Sequence, residues 1–246
     1  MALSANAQED DFGTWISVEA QKSCNKRFSW STEIELRTRD ASKAIDRMSL
    51  DYQGNYKLWP WMKVTGGFAF LYDHNKRISH YQEGDKDVVK GYVEVGDAKN
   101  RREFWGVRLR GFLSATVSRQ YGKLKLSLRE RWQYTYRFRR TALGRYNYYY
   151  KKSDSMGHVF GAKGKNELRS RLSAEYKISK KAPTPYMSIE AYNCWELEKM
   201  RYTIGTEWRI SKGNTLDMFY LYQHEYDHDY DTPHRHIVGI GYKHDF

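Results

Sequence analysis

Hydrophobic and polar residues alternate along this chain with a period of two, in one segment after another. The clearest case is 27–39. Phe28, Trp30, Thr32, Ile34, Leu36 and Thr38 fall on one face, and Arg27, Ser29, Ser31, Glu33, Glu35, Arg37 and Arg39 on the other. Strict alternation over so many residues predicts a β-strand longer than the about five or six residues usual in soluble proteins. Met48, Leu50, Tyr52, Tyr56 and Leu58 repeat the pattern, and after a turn at 59–61 so do Met62, Val64, Phe68, Phe70 and Tyr72. Trp105, Val107, Leu109, Leu113, Ala115 and Val117 alternate with Arg108, Arg110, Ser114, Thr116 and Ser118. Across a short turn at 119–122, Leu124, Leu126, Leu128, Trp132, Tyr134, Tyr136 and Phe138 alternate with Lys123, Lys125, Arg129, Arg131, Gln133, Arg137 and Arg139. Glu130 breaks this run by falling on the apolar face. Further strands are predicted at 167–178, 186–193, 199–210, 215–225 and 236–246.

The connections alternate in length. Short ones lie at 22–26, 59–61, 119–122, 179–185 and 211–214, and longer ones at 73–101, 140–166 and 227–235. That rhythm predicts an all-β fold, a transmembrane antiparallel β-barrel with short periplasmic turns and longer extracellular loops. The segments 73–101 and 140–166 are long for structureless loops, so strands are expected to extend beyond the membrane there. Counting 12–23 as a strand gives eleven. A barrel with both termini in the periplasm needs an even number, so about 12 strands are expected, the extra one near 91–96, or 10 if the N-terminal segment is not a barrel strand.

Composition fits a barrel better than its hydrophilicity suggests. No stretch approaches the roughly 18 to 20 apolar residues of a membrane-spanning helix, which excludes a helical membrane protein. Barrel strands need apolar residues on one face only. The aromatic fraction is 16%, with 21 Tyr and 8 Trp, enough for girdles at two membrane interfaces. Only 4 Pro occur, as a chain made mostly of strand requires. Residues 1–8 read as a signal-peptide remnant, with Ala5, Asn6 and Ala7 forming a small-x-small cleavage pattern, or as a flexible N-terminus; residues 9–246 are expected to form the barrel. Cys24 and Cys194 are too few for a disulfide framework and are expected at opposite ends of the barrel. Phe246 closes the last strand on the same parity as Val238, Ile240 and Tyr242. This resembles the C-terminal signal by which the outer-membrane assembly machinery recognises its substrates, with His244 where an aromatic is more usual.

Four stretches carry a wider likeness: Phe12-Gly13-Thr14-Trp15, Glu35-Leu36-Arg37-Thr38-Arg39-Asp40, Ser127-Leu128-Arg129-Glu130-Arg131-Trp132-Gln133-Tyr134, and Leu168-Arg169-Ser170-Arg171-Leu172. Through them the chain resembles, over nearly its whole length, a family of Gram-negative outer-membrane barrels of unknown function. The resemblance implies a multi-pass barrel in the bacterial outer membrane, among lipids, and supplies no activity. A monomer is expected.

The strongest candidate chemistry is the set of inward-parity arginines: Arg37, Arg39, Arg108, Arg110, Arg129, Arg131, Arg137, Arg139, Arg169, Arg171, Arg201 and Arg209. Guanidinium groups stay charged, grip carboxylates and phosphates as a fork, and in a pore favour anions. Two readings follow: a porin-like channel or binding barrel for anionic solutes, or a non-conducting interior filled by ion pairs with Glu33, Glu35, Glu175, Glu190, Glu207 and Asp217, serving a structural or accessory role. No cofactor is expected except a divalent metal ion at 222–236, where His224, His228, His234 and His236 stand among Glu225, Asp227, Asp229 and Asp231. No G-x-S-x-G and no neighbouring Ser and His on a lipid-facing register occur, which weighs against a lipid hydrolase without excluding a triad drawn from separate strands. The net charge of +12 raises nucleic acid as a partner, but cations and aromatics fall on opposite strand faces and share no binding surface.

Overall fold

The computed structural model describes residues 10–179, 182–226 and 234–246. Its strands are β1 (Asp11–Ser23), β2 (Phe28–Arg39), β3 (Ala44–Trp59), β4 (Met62–His80), β5 (Ala98–Tyr121), β6 (Leu124–Arg137), β7 (Arg140–Ala142), β8 (Arg145–Asn147), β9 (Lys152–Asp154), β10 (His158–Phe160), β11 (Lys163–Tyr176), β12 (Thr184–Cys194), β13 (Glu196–Ser211), β14 (Asn214–Glu225) and β15 (Arg235–Asp245), with one helical turn, α1 (Lys86–Val89). The chain divides into two compact units, the first Met1–Leu71, Leu109–Thr135 and Lys165–Phe246, the second Tyr72–Arg108 and Tyr136–Gly164.

In the first unit eleven strands form a closed ring in the order β1, β2, β3, β4, β5, β6, β11, β12, β13, β14, β15 and back to β1. The expectation of twelve, or ten, is therefore corrected. Residues 91–96 form no strand, and β1 is an ordinary member of the ring. An odd count closes because β1 and β15 run parallel, from Asp11 opposite Arg235 to Gln21 opposite Asp245, so the barrel is not purely antiparallel. The start of β1 and the end of β15 then lie at opposite ends of the ring. The end that carries Phe246 also carries the turns at 24–27, 60–61, 122–123 and 212–213. Cys24 sits in the first of these turns and Cys194 closes β12 at the other end, as the strand order requires.

Ion pairs fasten this parallel seam near both ends. Arg235 reaches Asp11 at 3.0 Å and Asp46 at 3.6 Å, and Lys243 lies 3.4 Å from Glu19 and donates to Gln21 at 2.8 Å. Midway along the seam Phe219 lies over Gly239, where a Cβ would come within 2.0 Å of the ring, and Trp15 meets Phe219 edge-on at 6.2 Å. Glycine is required there because the aromatic ring occupies the space a side chain would fill.

Burial is inverted relative to a soluble protein. Ile34, Phe68, Leu113, Leu172, Met187 and Ile204 are exposed on the outer wall, while Ser31, Ser49, Asn55, Thr65, Ser114, Gln133, Ser188 and Gln223 are buried inside. An apolar outside and a polar inside suit a hydrocarbon solvent, not water. Glu130 faces outward with its apolar neighbours, and Ser170 Oγ donates to its Oε2 at 2.7 Å. A hydroxyl on the adjacent strand thus partners the one acid that interrupts the apolar face of β6.

The second unit is built on the distal parts of β4 and β5. The pattern carries both strands past the end expected at Tyr72 and the start expected near Trp105, to lengths of 19 and 24 residues. Short strands β8 and β9 add to β5 through Asn100 opposite Asn147, and β7 pairs with β10. In the connection between β4 and β5, Asp85 accepts from the Gln82 backbone N–H at 3.0 Å and from Lys99 Nζ at 2.9 Å, which together hold its carboxyl below the ordinary aspartate range.

A closed ring should resist detergent, so the refolded protein is expected to migrate faster on gels when unheated than after boiling. In a Cys24→Ser, Cys194→Ser background, Ile16→Cys with Ile240→Cys should form a disulfide joining the first and last strands, since these positions are direct partners across the seam. Absence of that crosslink in folded protein would exclude the parallel closure.

Candidate functional site

Strand parity delivers side chains of one face into the first unit's interior, and the lumen collects them around a cavity of about 270 Å³. Its charged lining is Arg37, Arg47, Arg110, Arg129, Arg131, Arg169, Arg171 and Arg201 against Glu33, Glu35, Asp51, Glu190 and Asp217. Eight guanidiniums facing five carboxylates leave the cavity with an excess of positive charge.

Part of that charge is neutralised in a belt centred on Glu190. Its Oε1 accepts from Arg129 Nη2 at 2.6 Å, and its Oε2 accepts from Arg169 Nη2 at 2.8 Å and from the Tyr192 hydroxyl at 2.9 Å. The same hydroxyl accepts from Arg201 Nη1. The Tyr192 ring is faced by Arg169 at 4.4 Å, Lys199 at 4.5 Å and Arg201 at 4.8 Å. Arg201 also donates to Gln223 at 2.7 Å and lies 5.1 Å from the Trp15 ring, and Arg37 covers that indole at 3.8 Å while donating to Glu35 at 2.5 Å. The belt therefore reaches along the inner wall from β6 through β11, β12 and β13 to β1 and β2 by charge-assisted hydrogen bonds and cation–π contacts.

Three further arginines of the lining, Arg110, Arg131 and Arg171, stand outside this belt. Arg110 donates to Thr135 Oγ1 at 3.1 Å, and Arg131 lies 4.3 Å over the Phe112 ring with its Nε lacking any acceptor. Among the described residues, neither they nor Arg171 form an ion pair with a carboxylate. Elsewhere Tyr186 lies over Gly205 and donates to Asp217 at 2.9 Å.

A second cavity of about 390 Å³ opens beside the 60–61 turn and shares Arg129 and Arg171 with the first. Its lining includes Lys57, Lys63 and Lys125 with one acid, Glu175, which Lys125 holds at 2.9 Å. A basic mouth thus leads to the arginine cluster from the ring end that carries Phe246.

Of the arginines expected in the lumen, Arg37, Arg110, Arg129, Arg131, Arg169, Arg171 and Arg201 line the cavity. Five do not. Arg39 lies near the opposite end of the ring with Asp40 and Asp46 at 3.7 and 3.8 Å. Arg209 is exposed near the 212–213 turn, where the end of the strand gives it no interior to face. Arg108 and Arg137 belong to the second unit, and Arg139 is exposed between β6 and β7, outside any strand, so parity no longer fixes its direction. Arg47 was missed, although its position beside outward Met48 gives it inward parity. Tyr192 was missed as well, and it shares the parity of Glu190. Of the expected acid partners, Glu35 and Glu190 bind arginine, while Glu175 binds lysine.

Three of the four histidines expected to hold a metal lie among the described residues. His224 Nδ1 and His234 Nδ1 share a hydrogen bond at 2.9 Å, and His236 bonds the Tyr220 hydroxyl at 2.5 Å and Asp10 at 3.3 Å. Among the described residues, no three His, Cys, Asp or Glu are arranged to hold an ion; His228, Asp227, Asp229 and Asp231 lie outside them.

A closed ring with an apolar exterior and a charged interior defines the class of outer-membrane-type β-barrels. Two solved structures of that class are similar to it. The translocator domain of the autotransporter NalP from Neisseria meningitidis has a TM-score of 0.51 at 11% identity, over 83% of this chain and 71% of that one. The beta domain of the Bordetella autotransporter Brka has a TM-score of 0.53 at 9% identity, over 89% and 82%. At such identities the likeness is one of fold. The chain belongs to the family described as "Protein of unknown function (DUF2490)", whose model matches residues 12–233. No curated protein matches it.

The belt gives two neighbouring arginines unequal sensitivities. Glu190→Gln leaves two buried guanidiniums without their carboxylate and should lower stability by roughly 3 to 5 kcal/mol, while Arg129→Ala removes one of two arginines from a carboxylate that Arg169 still holds and should cost about 1.5 to 3 kcal/mol. Arg131→Ala, which breaks no ion pair, should cost far less. Denaturant titration of the folded, fast-migrating band measures both, and equal losses at Arg129 and Arg131 would refute the assigned pairing.

Proposed function

We propose that this protein is an outer-membrane barrel that binds small anionic solutes in its lumen, entering from the basic mouth beside the 60–61 turn. The observation that carries the reading is the presence of Arg110, Arg131 and Arg171 at a cavity wall without carboxylate partners. Unpaired guanidiniums in a confined polar space concentrate anions, and the lysines at the mouth extend the attracting field. A binding barrel is preferred to an open channel because the Glu190 and Tyr192 belt holds long side chains from β6, β11, β13 and β1 together inside the lumen. The same belt favours a second reading, a filled interior with a structural or accessory role.

The test is calorimetric titration of the detergent-folded protein with sulfate, together with conductance in planar bilayers. Low conductance and saturable sulfate binding are expected. Arg110→Ala with Arg131→Ala should weaken the lumenal binding by about tenfold or more, since two charge-assisted contacts are lost while the fold is kept. A conducting wild type would replace the binding barrel with a channel. Sulfate binding that the double substitution leaves unchanged would remove these arginines from the role, and no binding with no conductance would establish the structural reading.

A further inference from the structure

The second unit holds an arginine group that the lumenal reading does not use. Arg140 opens β7 opposite Phe160 of β10, and Phe160 stacks on Phe104 at 4.8 Å. The residue is only 8% exposed. Its guanidinium lies flat against Gly106, where a Cβ would fall within 1.9 Å of Nη1, so any other residue there would displace it. Nη2 donates to the Val107 carbonyl, while Nε and Nη1 have no acceptor. Arg108, two residues along the same strand from Gly106, donates to Asp73 at 2.5 Å. Arg137 stands close enough to Arg77 and Arg108, and Arg140 close enough to Arg108 and Arg137, for the charges to act on one another, and the Arg137 Nε also lacks an acceptor.

Arg108 and Arg140 thus stand by the Asp73 carboxylate with Arg137, flanked by Arg77, within electrostatic range of them, and buried N–H groups on Arg137 and Arg140 point at no acceptor. An ion pair satisfies one fork at most, and leaving charged donors buried and unmet is costly. An anion with several acceptor oxygens and more than one charge would meet these donors together. A phosphate group has both, since its three or more oxygens can accept from several separate arginines at once and its second charge offsets more than one of them.

We propose that Arg140, with Arg137, Arg108 and Arg77, forms a phosphate-binding site in the second unit, on a floor made by Gly106. The site takes a phosphate group borne either by a soluble molecule or by a lipid headgroup. It is independent of the lumenal site, and its test is run where that site is disabled.

In the Arg110→Ala, Arg131→Ala background, the detergent-folded full chain is titrated with inorganic phosphate, and separately with detergent micelles containing phosphatidic acid or, as a control, phosphatidylcholine. Binding is expected to persist in this background. Arg140→Ala and Gly106→Ala should each weaken it by about tenfold or more, the first by removing the donors and the second by displacing them. Binding of free phosphate identifies a soluble source, and binding of phosphatidic acid micelles alone identifies a headgroup; either supports the site. Should Arg140→Ala lose its fast-migrating folded band, Arg140→Lys and Arg137→Gln replace it, with weakened phosphate binding in folded protein as the required result. No binding of either probe in the background, or binding that none of these substitutions weakens, would overturn the proposal.

Discussion

Closure of the ring is the constraint on which the rest of this structure depends. A sheet with an open edge presents a row of unpaired N–H and C=O groups, and in a hydrocarbon solvent each of these costs several kcal/mol. With eleven strands the edges can meet only in parallel, although the parallel ladder is slightly weaker per residue than the antiparallel one. The seam is correspondingly reinforced by Arg235 with Asp11 near one end and Lys243 with Glu19 and Gln21 near the other. Between them Trp15 and Phe219 fill the space over Gly239. The belt is anchored to the same place, because Arg37 and Arg201 both rest on Trp15. Seam and lumen therefore share a residue, and a change at Trp15 acts on both.

Once closed, the ring sorts side chains by parity alone, which is why so much of it was legible in the sequence. Alternation marked the outer wall from Phe28 to Tyr242 and put Arg110, Arg129, Arg131, Arg169, Arg171 and Arg201 inside. The same rule, applied to Arg47 beside Met48 and to Tyr192 beside Glu190, would have added the residues overlooked. Parity fails where strands end. Arg139 follows the last residue of β6 and Arg209 approaches a turn, and there a one-residue change in backbone path redirects a side chain.

Two features had no local signal. The strand count turned on a pairing between residues more than two hundred positions apart, such as Asp11 and Arg235, and an even number is the expectation whenever both termini are put at one end. The short strands β7 to β10, three residues each, are too brief to show a period. Arg140 therefore read as part of a loop, although the strand it begins is what holds it against Gly106.

Inside the lumen, pairing and surplus are two consequences of one placement. Glu190 stands between Arg129 and Arg169, with Tyr192 bonded to its second oxygen, so its acceptor capacity is spent on that layer. Asp217 is occupied by Tyr186, which can lie across the sheet only because residue 205 is glycine. Two of the cavity's acids, Glu190 and Asp217, are thus fixed by specific hydrogen bonds, and side-chain exchange cannot readily redistribute them. A carboxylate with two buried partners gives up both if it moves, a loss larger than the Coulombic gain of meeting a third guanidinium in a wetter part of the cavity. The eight arginines and five acids of the lining therefore differ in number by placement along the strands, and the hydrogen-bond network holds that difference in place.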